Sequence, residues 1–115
     1  TRTCSTKHLP GFVANADALK AKGVDTIVCM AVNDAFVMDA WGKDRNVGGA
    51  VLMVGDGNAD LTRALGLDKD STANGMGIRS QRFSMMVKDG VLKSLDIDPP
   101  GQFGATSAEA MLDRL

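Results

Sequence analysis

The sequence predicts an α/β sandwich with a mixed sheet, and three observations carry that prediction. Residues 24–32 and 50–54 are short, almost wholly apolar runs that alternate with helical patterns, as buried parallel strands do in a layered α/β domain. Asp89-Gly90 stands between two β-rich runs, a strong short-range signal for an antiparallel hairpin. A length of 115 residues suits one small domain with one core.

Each element has its own signal. Leu9, Phe12, Val13, Ala16 and Leu19 recur at helical spacing and predict a first helix over residues 5–22. Pro10 fits its first turn and is expected to kink it there, while Gly23 suits its C-terminal stop. The strand over 24–32 follows. Asn33 or Asp34 can cap a helix over 35–43, and the strand over 50–54 ends at Gly55-Asp56-Gly57. Asn58 is the expected cap of a short helix through Leu65. Residues 66–80, rich in glycine and polar side chains, read as a loop. Strands over 82–87 and 91–97 flank the hairpin turn, and Thr106-Ser107-Ala108-Glu109 reads as a capping box opening a last helix that ends near Leu115. The order is α-β-α-β-α-β-β-α. No strand leads into the first helix, so the chain is expected to lack its N-terminal part.

Composition narrows the function. A net charge of −1 makes no electrostatic case for nucleic acid or an anionic membrane surface, and no apolar run reaches the length of a membrane span. Two cysteines are too few for a disulfide scaffold, which points to a reducing compartment, the cytoplasm or an organelle. Seven methionines against four phenylalanines and one tryptophan suggest an adaptable core.

Cys4 is the sharpest candidate for chemistry. It sits where a helix begins, and unpaired N–H groups with a partial positive charge favour thiolate over thiol there. Thr1, three residues earlier, can point its hydroxyl at the same space, and the polar surroundings favour a reactive thiol over a buried hydrophobe. Cys29, between Val28 and Met30, reads as an inert core cysteine in preference to a redox partner. His8 is the only histidine, which excludes a multi-histidine metal site; a structural role is favoured over that of a base for Cys4 in a cysteine hydrolase. Arg79 or Arg82 could hold a thiolate, although composition alone favours a solvated charge at a strand edge.

Thr1-x-x-Cys4, followed by Ser5-x-x-His8-Leu9-Pro10-Gly11-Phe12, resembles the peroxidatic-cysteine segment of the peroxiredoxins, and more closely that of the type II (atypical, peroxiredoxin-5-like) subgroup of bacteria and plants. Residues 32–37, Ala40-Trp41, Leu65-Gly66-Leu67, Gly77 to Phe83 and Thr106-Ser107-Ala108-Glu109 extend the likeness along the chain. The resemblance implies a single thioredoxin-like domain over residues 1–115 with its first strands missing. It implies a thiol peroxidase acting on hydrogen peroxide and alkyl hydroperoxides, with Cys4 as peroxidatic cysteine, Thr1 as its hydroxyl partner and Arg82 as active-site arginine. Ser107 stands where the mammalian type has its recycling cysteine, so that route is closed, and Cys29 matches the second cysteine of the plant and bacterial type, resolving or structural. The implied reductant is glutathione with glutaredoxin, or thioredoxin. A homodimer, with Trp41 and the 75–80 loop contributing, is expected, and no metal, haem or flavin is implied. The competing reading is a thioredoxin-like sensing or binding module without turnover.

Overall fold

The computed structural model describes all of residues 1–115. Its first helical segment is interrupted twice. Arg2 and Thr3 are helical, Cys4–His8 form a π-helical turn, and the chain continues through α1 (Leu9–Ala14) and α2 (Ala16–Ala21). Pro10 accounts for the wide turn. It has no N–H to give the Thr6 carbonyl, and its ring would crowd that carbonyl in a regular α-helix. The Leu9 N–H instead reaches back five positions to the Cys4 carbonyl. The proline expected to kink the helix thus acts by widening it at the cysteine. Asn15 separates α1 from α2, with φ −101° and ψ 11° and its side-chain amide donating to the Gly11 carbonyl at 2.8 Å.

β1 (Val28–Ala31) and β2 (Leu52–Gly55) pair in parallel, joined across α3 (Ala35–Asp44). Asp34 caps α3 as predicted, accepting from the Val37 N–H at 2.8 Å. At Gly55 a Cβ would lie 2.7 Å from the Asn33 carbonyl oxygen, so only glycine lets the end of β2 close on the β1–α3 turn. α4 (Asp60–Ala64) is capped by Asp56 and not by Asn58. A left-handed Ala59 (φ 60°) folds the chain so that the Asp56 carboxylate accepts from the Leu61 and Thr62 N–H groups and the Thr62 hydroxyl.

The segment expected to be a loop holds β3 (Asp68–Asp70), a 3-10 turn (Thr72–Asn74) and β4 (Ile78–Ser80), the strands antiparallel. All three residues of β3 are exposed, so no apolar alternation announced it. β5 (Arg82–Lys88) and β6 (Val91–Asp98) form the predicted hairpin, with Asp89 (φ 51°) and Gly90 (φ 76°) both left-handed as its two-residue turn requires. α5 (Ala108–Arg114) is capped by Ser107, which accepts from the Ala110 N–H at 3.1 Å. The expected capping box does not form, because the Thr106 hydroxyl is bound to Asp98 and Glu109 accepts from Asn15, so the cap moves to Ser107.

The α/β class stands, with parallel and antiparallel strands both present, but the strands hydrogen-bond as three separate pairs. Val28 and Leu52, at the open ends of β1 and β2, are 53% and 57% exposed, so these strands are not buried on both faces as predicted. The core joins Leu9, Ala16 and Leu19 to Ile27, Val47, Val51 and Met111, so both ends of the chain seal one interior. Phe12, Cys29, Trp41 and Met86 pack around its margin.

Candidate active site

Cys4 lies in the opening helical turn, half-buried. The Thr1 carbonyl accepts from the Ser5 N–H at 3.1 Å. The Thr1 hydroxyl donates to Cys4 Sγ at 2.9 Å. α3 steadies the turn from below: Trp41 Nε1 donates to Ser5 Oγ at 2.9 Å, which turns the indole inward.

Arg82 comes to the sulfur from the first residue of β5, its Nη1 donating to Cys4 Sγ at 3.4 Å. The same nitrogen lies 3.4 Å from His8 Nδ1. His8 Nε2 sits 2.9 Å from the Thr106 carbonyl oxygen, which can only accept. That contact assigns the imidazole proton to Nε2 and leaves Nδ1 as an acceptor for Arg82. Nη1 carries two hydrogens, one for the sulfur and one for the ring. Phe12 and Phe103 meet the imidazole edge to face at 5.6 and 5.5 Å, and the guanidinium carbon stands 5.7 Å from the Phe103 ring centre.

Asp98, at the end of β6, anchors the loop that carries Thr106. Its carboxylate accepts from the N–H groups of Gly104, Ala105 and Thr106 at 3.0, 3.1 and 3.1 Å and from the Thr106 hydroxyl at 2.6 Å. Arg114 grips the loop from α5, donating to the Ala105 carbonyl at 3.0 Å while pairing with Asp96.

The charges follow from this packing. Burial pushes the Cys4 thiol up, but the Thr1 hydroxyl and the Arg82 charge and hydrogen bond help hold it below its ordinary value. Burial, with the Arg82 charge beside it, keeps His8 below the usual imidazole range against the opposing pull of the Thr106 carbonyl and Asp98. Burial, aided by the nearby Cys4, raises Cys29 to about 11, so at neutral pH it is a thiol packed at the core margin. Against the cost of its burial, the four donors around Asp98 lower it from 3.8 to about 2. Because that value is depressed on folding, the stability it contributes is present above 3.8 and is lost as the pH falls through about 2. Asp98→Asn is expected to cost about 3 kcal/mol at neutral pH. Urea unfolding of both proteins should show the difference shrinking toward pH 2; a constant difference would show that ionisation of Asp98 contributes nothing.

The two arginines separate clearly. Arg79 donates to the Val32 carbonyl at 2.7 Å, the Asn33 side chain at 3.0 Å and the Met76 carbonyl at 2.8 Å, tying the 76–79 segment to the end of β1. Only Arg82 reaches the sulfur.

Residues 1–112 match the redoxin family. Peroxiredoxin-2B of Arabidopsis thaliana is 44% identical over the whole chain, which covers 71% of that protein. The chain belongs to the peroxiredoxins. Peroxiredoxin-2E-2, chloroplastic, of Oryza sativa subsp. japonica is 51% identical across all of this peroxiredoxin chain, which spans 52% of the rice protein, about half its length. The crystal structure of reduced Prx3 in complex with H2O2 from Vibrio vulnificus superposes with a TM-score of 0.95 at 48% identity, covering 100% of this chain and 74% of that one. The thioredoxin-like α/β fold expected of the sequence is therefore the fold of this peroxiredoxin.

The structure brings Thr1, Cys4 and Arg82 together as expected, and leaves Cys29 nearby as a protonated thiol. It adds Asp98, Phe103 and Thr106, which sequence reasoning missed, and gives His8 a partner on either side. Thr106 acts through its backbone carbonyl, which has no sequence signature. No helix of this peroxiredoxin is long and apolar enough to cross a membrane.

Proposed function

We propose that this protein is a thiol peroxidase that reduces hydrogen peroxide and alkyl hydroperoxides at Cys4. The observation that carries the reading is one sulfur held by two donors from distant parts of the chain, the Thr1 hydroxyl at 2.9 Å and the Arg82 guanidinium at 3.4 Å. The thiolate attacks the terminal peroxide oxygen, forming an S–O bond as the O–O bond breaks. The electron pair leaves on the second oxygen, which takes up a proton to become water or an alcohol, and Cys4 becomes a sulfenic acid. Thr1 orients the peroxide, while Arg82 stabilises the negative charge as it shifts from sulfur to the leaving oxygen.

An external thiol then condenses with the sulfenic acid, releasing water, and a second thiol frees Cys4. Cys29 is too weakly acidic to serve readily as that thiol, which supports glutathione with glutaredoxin over thioredoxin acting through Cys29. In this reading residues 1–115 are a single domain whose first strands precede Thr1, working in a reducing compartment of the cytoplasm or an organelle. It works as a homodimer. Phe36, 87% exposed, supports the dimer with the exposed Val37, Leu61 and Met76.

The test is chemical. One equivalent of hydrogen peroxide, followed by dimedone, is expected to label Cys4 and leave Cys29 unlabelled by mass spectrometry. Label at neither residue would overturn the reading. Fast labelling followed by no turnover with any thiol donor would favour the non-catalytic sensing module.

A further inference from the structure

His8 stands between the guanidinium and the loop at the far end of the chain, and the reaction as written leaves it idle. Its geometry gives it work. The Thr106 carbonyl fixes the proton on Nε2, so the Nδ1 lone pair points at Arg82 Nη1, the nitrogen that also serves Cys4. Phe12 and Phe103 hold the ring edge to face from both sides and restrict its rotation. Asp98 and Arg114 immobilise the loop that presents the carbonyl.

We infer that His8 is a positioning residue that, while neutral, holds the Arg82 guanidinium against Cys4 and, once protonated, releases it. A proton on Nδ1 removes the acceptor and sets one cation against another at 3.4 Å. Arg82, always charged, cannot relieve that repulsion by losing a proton, so the guanidinium must move. Movement takes it from the sulfur, and the thiol loses its nearest positive side chain. The charged groups that bear on the ring are Arg82 from β5 and Asp98 from β6. On α5, Glu109 turns toward Asn15 and Arg114 pairs with Asp96, and neither they nor Asp113 are among the charges that bear on the ring. Two protons, one on Cys4 and one on His8, therefore switch the site off together in acid.

This inference concerns the site assigned above to peroxide reduction, but its test needs no peroxide. Alkylation of Cys4 by iodoacetamide, assigned by mass spectrometry in the full-length protein, reads thiolate directly across pH. In wild type the rate is expected to fall by more than tenfold per pH unit across the range in which His8 titrates, an extra loss of about tenfold in all, as the coupled uptake of two protons requires. His8→Asn places an amide oxygen near the position of Nδ1 and cannot titrate. It should keep Cys4 more reactive at pH 7 than His8→Gln does, with a fall of about tenfold per unit. His8→Gln places its amide N–H near Nε2, keeping the Thr106 contact but losing the acceptor for Arg82. It should slow alkylation at pH 7 by about tenfold. Because His8 is the only histidine, its ring resonance in the proton NMR spectrum is unambiguous, and Arg82→Met should raise the pH at which it titrates. Equal rates in the two His8 variants, or a faster Gln variant, would reduce His8 to an anchor for the loop and overturn the inference. The expected alkylation pattern without peroxide turnover would leave the inference standing and remove the peroxidase reading.

Discussion

Cys4→Ser should abolish hydroperoxide consumption in the full-length protein. Serine keeps the size and the hydrogen bond from Thr1, but its hydroxyl does not ionise under conditions where a thiol does, and oxygen forms no stable counterpart of a sulfenic acid. The proposed reaction begins with attack by the ionised Cys4 sulfur, so without it no later step is reached. Cys29, raised to about 11, is not a reserve nucleophile. Losing a nucleophile acts on a scale of about 10⁶-fold in turnover, which here means the uncatalysed background. The π-turn that carries Cys4 contains no buried residue, so the melting temperature should move little. A peroxide-consumption assay beside a thermal melt separates loss of chemistry from loss of fold, and turnover retained in the serine variant would remove Cys4 from the reaction.

Arg82→Ala has the next largest expected effect, and it acts in two separable ways. The guanidinium favours ionised sulfur, so its loss raises the Cys4 pKa and moves the acid inflection of the pH–rate profile upward. It also faces the charge that develops on the leaving oxygen, and losing one such donor costs about 10²–10³-fold. Raising the pH restores the thiolate but not the lost donor. The variant should therefore recover part of its deficit in alkaline solution and then reach a plateau about 10²–10³-fold below wild type. An inflection at the wild-type pH, or full recovery at high pH, would contradict one of the two roles. Lysine is a poor replacement because the sulfur and the imidazole draw on a planar guanidinium nitrogen whose direction an ammonium does not reproduce.

Legibility in the sequence followed distance along the chain. Thr1 and Cys4 are three residues apart, so ordinary helix geometry joins them, and the Asp89-Gly90 turn and the Asp34 cap obeyed equally local rules. Only resemblance singles out Arg82; composition does not rank it above Arg79, whose partners are backbone and side-chain oxygens near the end of β1. Asp98, Phe103 and Thr106 were illegible because they serve the site through a carbonyl, an aromatic face and a loop anchor, none of which leaves a spacing to read. Thr106 shows how a tertiary partner overrides a local motif, since its hydroxyl goes to Asp98 and Ser107 becomes the cap. The hairpin of β3 and β4 escaped because exposed polar residues build β3 and a short strand with no buried face carries no alternation.

Segments far apart in the chain meet at the sulfur, and this bears on how the site is made. Arg82 lies 78 positions after Cys4, and the Thr106 carbonyl is 98 positions beyond His8. Contacts of that span form only once the intervening chain has collapsed. Cys4 therefore leaves the ribosome well before the guanidinium that activates it, and until folding joins the two it is an ordinary thiol, slow toward oxidants. The nascent polypeptide is in this way spared the oxidation that the mature site invites.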